Sequence, residues 1–386
     1  MARVPQNTCA MTARERYVAA LTFGQPDRIP FEPGGPREST LVAWREQGLP
    51  NGVSWHTAVM DTLGISTEGA WSAEVDIQPD LRMRPWFEER VLAHERGHYI
   101  LQDWMGAIVE ISDRYDFSYL RSARDFVTRK WHRFPVQNRD DWARMRERYD
   151  PHDRGRQPEE LEAKGLALRD RETVCTLTVN GPFWQMREWC GFEGLCMLML
   201  DDPDFVQEMA DYWTEFVSSA LAPVLRHVQL DAITISEDMA YKEHSMISPP
   251  MVRRFILPAY ERWVPEIKAS GCPIVEMDCD GYVGGLIVTW IEAGINSCWP
   301  VEVAAGNDTV EYRRRYGRRM AYGGGIDKRA IAAGGETMRA EVMRVVPPLL
   351  EEGGFIPGCD HGVPPDVSWP NFVAYSRLLA ELTGWL

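Results

Sequence analysis

Lysine is scarce in this chain: of 42 basic side chains only Lys130, Lys164, Lys242, Lys268 and Lys328 are lysines. The remaining cations are arginines, planar fork-shaped donors suited to pairing carboxylates. Positive charge is short overall as well, with 57 acidic residues giving a formal net charge of −15. That balance argues against a polyanionic partner, so no nucleic acid is expected. Long apolar runs are missing; the stretch 284–290 is among the longest and is far too short to cross a bilayer, so no membrane span is expected. The eight cysteines (Cys9, Cys175, Cys190, Cys196, Cys272, Cys279, Cys298 and Cys359) contain no C-x-x-C pair. No N-terminal segment joins a basic region to an apolar run, which leaves free thiols in a reducing cytoplasm as the expectation.

What is present is an ordinary globular composition, 45% hydrophobic and 26% charged over 386 residues, which excludes disorder and collagen. That length would divide into two or three average domains, yet an α/β barrel uses such lengths as one. Thr12-Ala-Arg-Glu15 has capping-box spacing and opens a short helix ending at Gly24. Residues 27–31 read as a strand, the chain to about 130 as aromatic-rich and irregular, and 139–172 as a charged, solvated helical excursion. From residue 173 the pattern becomes regular. Strands at 173–181, 231–238, 273–280, 296–302, 320–327 and 354–361 alternate with amphipathic helices, with no hairpins between them. Such alternation implies a parallel sheet, and the number of units implies a (β/α)8 TIM barrel. The expected organisation is one barrel domain, 1–386, with an N-terminal extension over about 1–25 and a charged helical insertion at 139–172.

Nearly every expected strand ends in polar residues: Asn180, Glu237 with Asp238, Asp278 with Asp280, Glu302, Asp327 with Lys328, and Asp360 with His361. In a barrel these ends form the mouth of the active site. Any single acid there could equally cap the next helix; six strands ending alike favour carboxylates converging on one face. Asp278 and Asp280 lie two apart on a strand and project to one side, where they could share a metal or substrate, although Asp280-Gly281 also suits a turn. Glu237-Asp238 is a carboxylate pair capable of acid–base work or of capping. His361 is the leading catalytic candidate, since the stiff loop around it gives an imidazole little reason to be buried for packing. Cys279 and Cys359 are near the mouth but out of phase with these residues, as small buried hydrophobes would be. Gly323-Gly-Gly325 lacks phosphate-loop spacing and reads as a place for close approach by a ligand or a neighbouring strand.

Taken together, Thr12-Ala-Arg-Glu-Arg16, Pro26-Asp-Arg-Ile-Pro30, Glu237-Asp-Met-Ala240, Ile247-Ser-Pro-Pro250, Asp278-Cys-Asp-Gly281, Gly324-Gly-Ile-Asp-Lys328 and His361-Gly-Val-Pro-Pro-Asp366 resemble the uroporphyrinogen decarboxylase superfamily. The resemblance is traced over the first forty residues and from about 220 to the end. It implies a (β/α)8 barrel and two known chemistries, porphyrin decarboxylation and methyl transfer with corrinoid proteins. The decarboxylase's Met-Arg-Gln-Ala-Gly-Arg clamp is replaced by Phe31-Glu-Pro-Gly-Gly-Pro-Arg37, which keeps one arginine and adds Glu32. An acidic mouth would repel a substrate with eight carboxylates. Where corrinoid-linked methyltransferases of the superfamily bind zinc through His-x-Cys-Gly and a late cysteine, this chain offers Asp278, Asp280 and His361.

The resemblance therefore implies a methyltransferase (a demethylase of a small methoxy- or methylamine-type substrate) working with a corrinoid protein. Its expected parts are a divalent metal, zinc first, on Asp278, Asp280 and His361, and catalytic roles for His361, Glu237, Asp238 and Glu302. Arg37, Asn180, Asp327 and Lys328 would contact substrate. A cofactor-free decarboxylase of a smaller acid (a lyase) and a non-catalytic barrel that docks a corrinoid protein are the alternatives. A homodimer is expected from the superfamily's habit.

Overall fold

A computed structural model describes residues 11–65, 75–121 and 127–386. Cys9 and the first ten residues of the expected extension lie outside them. The main body is a parallel sheet of six strands, here β5 (Thr176–Asn180), β6 (Ala232–Ser236), β7 (Ile274–Asp278), β8 (Ser297–Trp299), β9 (Ala321–Ile326) and β10 (Phe355–Cys359). Each pairs in parallel with its sequence neighbour, the connections between them being helical. Two further staves, in extended form, flank the edges of this sheet. Residues 29–36 run beside β10, where the Cys359 amide donates to the Pro33 carbonyl and Pro36 bridges Val363. Residues 75–83 run beside β5, where the Gln78 side chain both donates to and accepts from Thr178. The expected strand at 27–31 is thus an extended stave outside the hydrogen-bonded ladder. The architecture is the α/β TIM-barrel type.

Alternation along the strands separates two interiors. Leu177, Val179, Ile233, Ile235, Val275 and Met277 face the surrounding helices in the main core. Val174, Ala232, Ile274, Ala321 and Ile356 face inward at the base of the barrel, where Tyr17, Ala20 and Leu21 of the helix Ala13–Leu21 close it from below. The capping box expected at Thr12 and Glu15 starts that helix. Its attachment is ionic: Asp231, 1% exposed, accepts from Arg14 at 2.8 Å, from Arg171 at 2.6 Å and from the Cys175 amide at 2.9 Å.

The stretch before residue 130 is more ordered than its sequence suggests. Strands β1 (Arg90–Glu95), β2 (His98–Gln102), β3 (Ile108–Ser112) and β4 (Arg129–Arg133) form an antiparallel sheet with its own core of Leu101, Val109 and Ile111. Arg96 and Gly97 both take positive φ in the two-residue turn between β1 and β2. The excursion at 139–172 is helical in part, at Arg139–Arg146 and Leu161–Ala167, but only its outer face is solvated. Trp142 and Tyr149 are buried and pack on Trp189, with ring centroids at 4.7 and 5.4 Å. Arg156, 3% exposed, donates to the carbonyls of Asp80, Arg82, Arg148 and Asp150 and so ties the excursion to the second stave.

Because Arg171 is as buried as Asp231, removing the carboxylate strands a guanidinium. Asp231→Ala is expected to lower the unfolding free energy by about 3–5 kcal/mol in urea titrations; a change under about 1 kcal/mol would contradict the ionic attachment.

Candidate active site

The C-terminal ends of β6 and β7 lie side by side in register, Ser236 opposite Asp278. In-phase side chains on the inner face are therefore Thr234, Ser236 and Asp238 on one stave and Glu276, Asp278 and Asp280 on the other. One oxygen each from Asp238, Asp278 and Asp280, all half-buried, lie within 4.8 Å of one another. Ser236 Oγ donates to Asp278 at 2.7 Å, and the Asp280 amide donates to Asp238 Oδ1 at 3.1 Å. Asp238 reaches this position through a left-handed backbone, φ 42°, a conformation that aspartate tolerates better than most residues. Burial, reinforced by the carboxylates of Asp238 and Asp280, pushes Asp278 up to about 7. Burial and Asp280 also raise Asp238.

His361 joins the cluster from the loop after β10. Its Nε2 lies 2.9 Å from Asp280 Oδ2 and its Nδ1 3.2 Å from Arg37 Nη2. A guanidinium only donates, so Nδ1 accepts and Nε2 carries the proton toward Asp280. The bond to Asp280 raises the imidazole's pKa, while a second proton on Nδ1 would have to displace Arg37. Asp280, His361 and Arg37 thus form a chain from the first stave to the acid cluster.

The other expected site residues divide. Glu302 stands at the rim, accepting from Lys328 Nζ at 2.6 Å and from the Gly281 amide at 3.2 Å. Asn180 lines a separate cleft of about 440 Å³ between β5 and the second stave and donates to Gln185 at 3.3 Å. Two residues have other work. Glu237, 0% exposed, is out of phase with Ser236 and turns outward, accepting from Tyr260 Oη at 2.6 Å and from the Trp184 amide at 2.9 Å. Burial pushes it up to about 7, but it secures the start of the helix Pro182–Cys190 and does not face the mouth. Asp327 caps the helix Lys328–Ala333 and pairs with Arg329 at 2.9 Å, the capping role that its position equally allowed. Asp360 is likewise buried, holding the amides of Val303 and Lys328.

Strand phase places three further residues inward that belong to no motif, namely Ser236, Glu276 and Trp299. Arg187, whose Nη1 donates to the Asp238 carbonyl at 2.8 Å, carries no sequence signal of its own. Cys279 and Cys359 are buried, and burial raises both thiols, Cys359 to about 12, which leaves them protonated.

Fold and site together define an α/β barrel enzyme with an acid–imidazole cluster at the strand C-termini. The family model for uroporphyrinogen decarboxylase (URO-D) matches residues 130–381. The chain belongs to that family. The match takes in the stretch from 130 to about 220 where no resemblance was traced, and leaves out the motifs at 12–16 and 26–30. No curated protein matched by sequence. Among solved structures the chain is similar to a methyltransferase from Methanosarcina mazei, at 15% identity and a TM-score of 0.55, over 96% of this chain and 99% of that one. At that identity the likeness is one of fold. No helix among the described residues is long and apolar enough to cross a membrane.

Carboxyls raised to about 7 when folded but near 4 when unfolded bind extra protons only in the native state between those values. Metal-free protein is therefore expected to gain stability as pH falls from 8 to 5.5, and Glu237→Gln to flatten that gain. Urea unfolding at the two pH values measures it; equal stability, or greater stability at pH 8, would contradict the assigned shifts.

Proposed function

We propose that the protein transfers a methyl group between a small methoxy- or methylamine-type substrate and a corrinoid carried by a partner protein, assisted by a divalent metal. The observation that carries this reading is the convergence of Asp238, Asp278 and Asp280 at the ends of adjacent strands, bordered by His361. Porphyrin decarboxylation needs cations facing a polycarboxylate, whereas here three acids meet in a space where two like charges 4.8 Å apart would repel by about 3–4 kcal/mol at an effective dielectric near 20. A cation relieves that repulsion.

The donor set fits a divalent ion. Asp238 takes a place beside Asp278 and Asp280, while His361 stands behind Asp280 as its hydrogen-bond partner. A hydrogen-bond partner behind a ligating carboxylate orients it. Three carboxylate oxygens favour a harder ion such as Mn²⁺ or Mg²⁺ over zinc, which prefers nitrogen and sulfur donors. When bound, such an ion withdraws electron density from the substrate heteroatom. The protein's own part is positional and electrostatic. Ser236 and the Asp280 amide hold the acids in place, Arg37 fixes the tautomer of His361, and the Nε2 proton of His361 is available at Asp280 for a heteroatom that loses its methyl group. Lys328 and Glu302 order the rim.

The test is methyl transfer from aryl methyl ethers and methylamines to a reduced corrinoid protein, with carbon dioxide release measured in parallel on small carboxylic acids. Wild type is expected to transfer methyl and Asp280→Asn to lose at least a hundredfold in rate. Carbon dioxide release with no corrinoid requirement would overturn the reading in favour of a decarboxylase.

A further inference from the structure

Below the acid cluster the barrel holds a cavity of about 210 Å³ that the reading above does not use. Its polar lining is acidic. Glu276 lies two residues before Asp278 on β7, hence on the same inner face and one layer deeper. Glu32 enters from the first stave, and the Trp299 indole closes one side. The ring rests against Gly323, where a Cβ would come within 2.6 Å of Trp299 Cδ1, so the triple glycine of β9 makes room for a neighbouring side chain. Ser297 and Thr234 hydroxyls donate to Glu276 at 2.9 and 3.3 Å. Glu32 lines the cavity, is partly buried, and accepts no hydrogen bond from any described residue; desolvation pushes it up to about 7. The other titratable groups on the wall are Tyr17 and Cys359, both raised by burial. No lysine, arginine or histidine lines the space.

Two partly buried carboxylates lining one cavity, one of them with no hydrogen bond from the described residues, beside an aromatic face and with no countercharge, make a receptor for a cation. A cavity of this size takes a few heavy atoms, fewer than a drug-sized pocket accepts. Gly35 in its lining is exposed, and Asp278 follows the lining residue Glu276 two positions on along β7. We propose that the cavity seats the ammonium group of a small organic amine whose opposite, reacting end lies at the layer of Asp238, Asp278, Asp280 and His361. This deepens the methyl-transfer reading and rests on it only for the identity of that reacting end.

The probes are 4-methoxybenzylamine, cationic at pH 7.5, and its neutral isostere 4-methoxybenzyl alcohol, titrated calorimetrically into the full chain. The amine is expected to bind at least tenfold more tightly, and Glu32→Gln to abolish that preference while the variant keeps the wild-type melting temperature within a few degrees. Glu276→Gln, checked in the same way for folding, should act in the same direction. Equal affinities, no binding of either probe, or a preference that survives Glu32→Gln would overturn the proposal. Methyl transfer is read separately, so an amine preference without transfer would retain the cation cavity and discard the transfer reading.

Discussion

Three carboxylates within 4.8 Å of one another are the constraint around which this barrel's mouth is organised. Their charges repel, and the chain answers locally. Ser236 and a backbone amide satisfy individual oxygens, and His361 spans from Asp280 to Arg37. The placement depends on the registered pairing of β6 with β7, and Asp238 holds its place with a left-handed backbone. A non-glycine residue in that conformation is strained and persists only where its surroundings enforce it. Here the enforcement includes the bond from Arg187 to the Asp238 carbonyl.

The same alternation that gathers these acids sorts the others. Along β6 and β7 the inner face carries polar groups at its upper layers and small apolar ones at its base, while the outer face joins the helices. Glu237 shows the consequence. Adjacent to Asp238 and just as acidic, it lies on the other side of the stave, where it secures Tyr260 and the start of a helix. Its buried carboxyl stabilises architecture, and its raised pKa comes from burial without any contact with the mouth.

Much of this was legible in the sequence. The six parallel strands fall within a few residues of the spans that β-branched runs and helix periodicity mark out, because the outward face of each stave is a regular apolar row against the helices. The β1–β4 sheet was not legible: it turns on Arg96-Gly97, lacking the Asn or Asp that advertises such a turn, and its edge strands β1 and β4 are largely exposed and carry many charges. In the site, acids at strand ends were visible, but which faced inward required phase. Counting by twos from Ser236 selects Asp238 over Glu237, and counting back from Asp278 finds Glu276. Asp327 and Asp360 show the limit of composition, since a cap and a catalytic acid look alike until their amide partners are known. The excursion at 139–172 hid Trp142 and Tyr149, two anchors among many charges, which a charge count cannot weigh.

Family membership and the barrel fold fix the scaffold, and the acid cluster gives this member its character. The most direct test of that account is calorimetric titration of Mn²⁺ and Zn²⁺ into chelator-treated protein, comparing wild type with Asp278→Asn and Glu237→Gln. The account requires one ion per chain in wild type and in Glu237→Gln, with affinity at least a hundredfold weaker in Asp278→Asn. Absence of binding in wild type, or undiminished binding in Asp278→Asn, would contradict it.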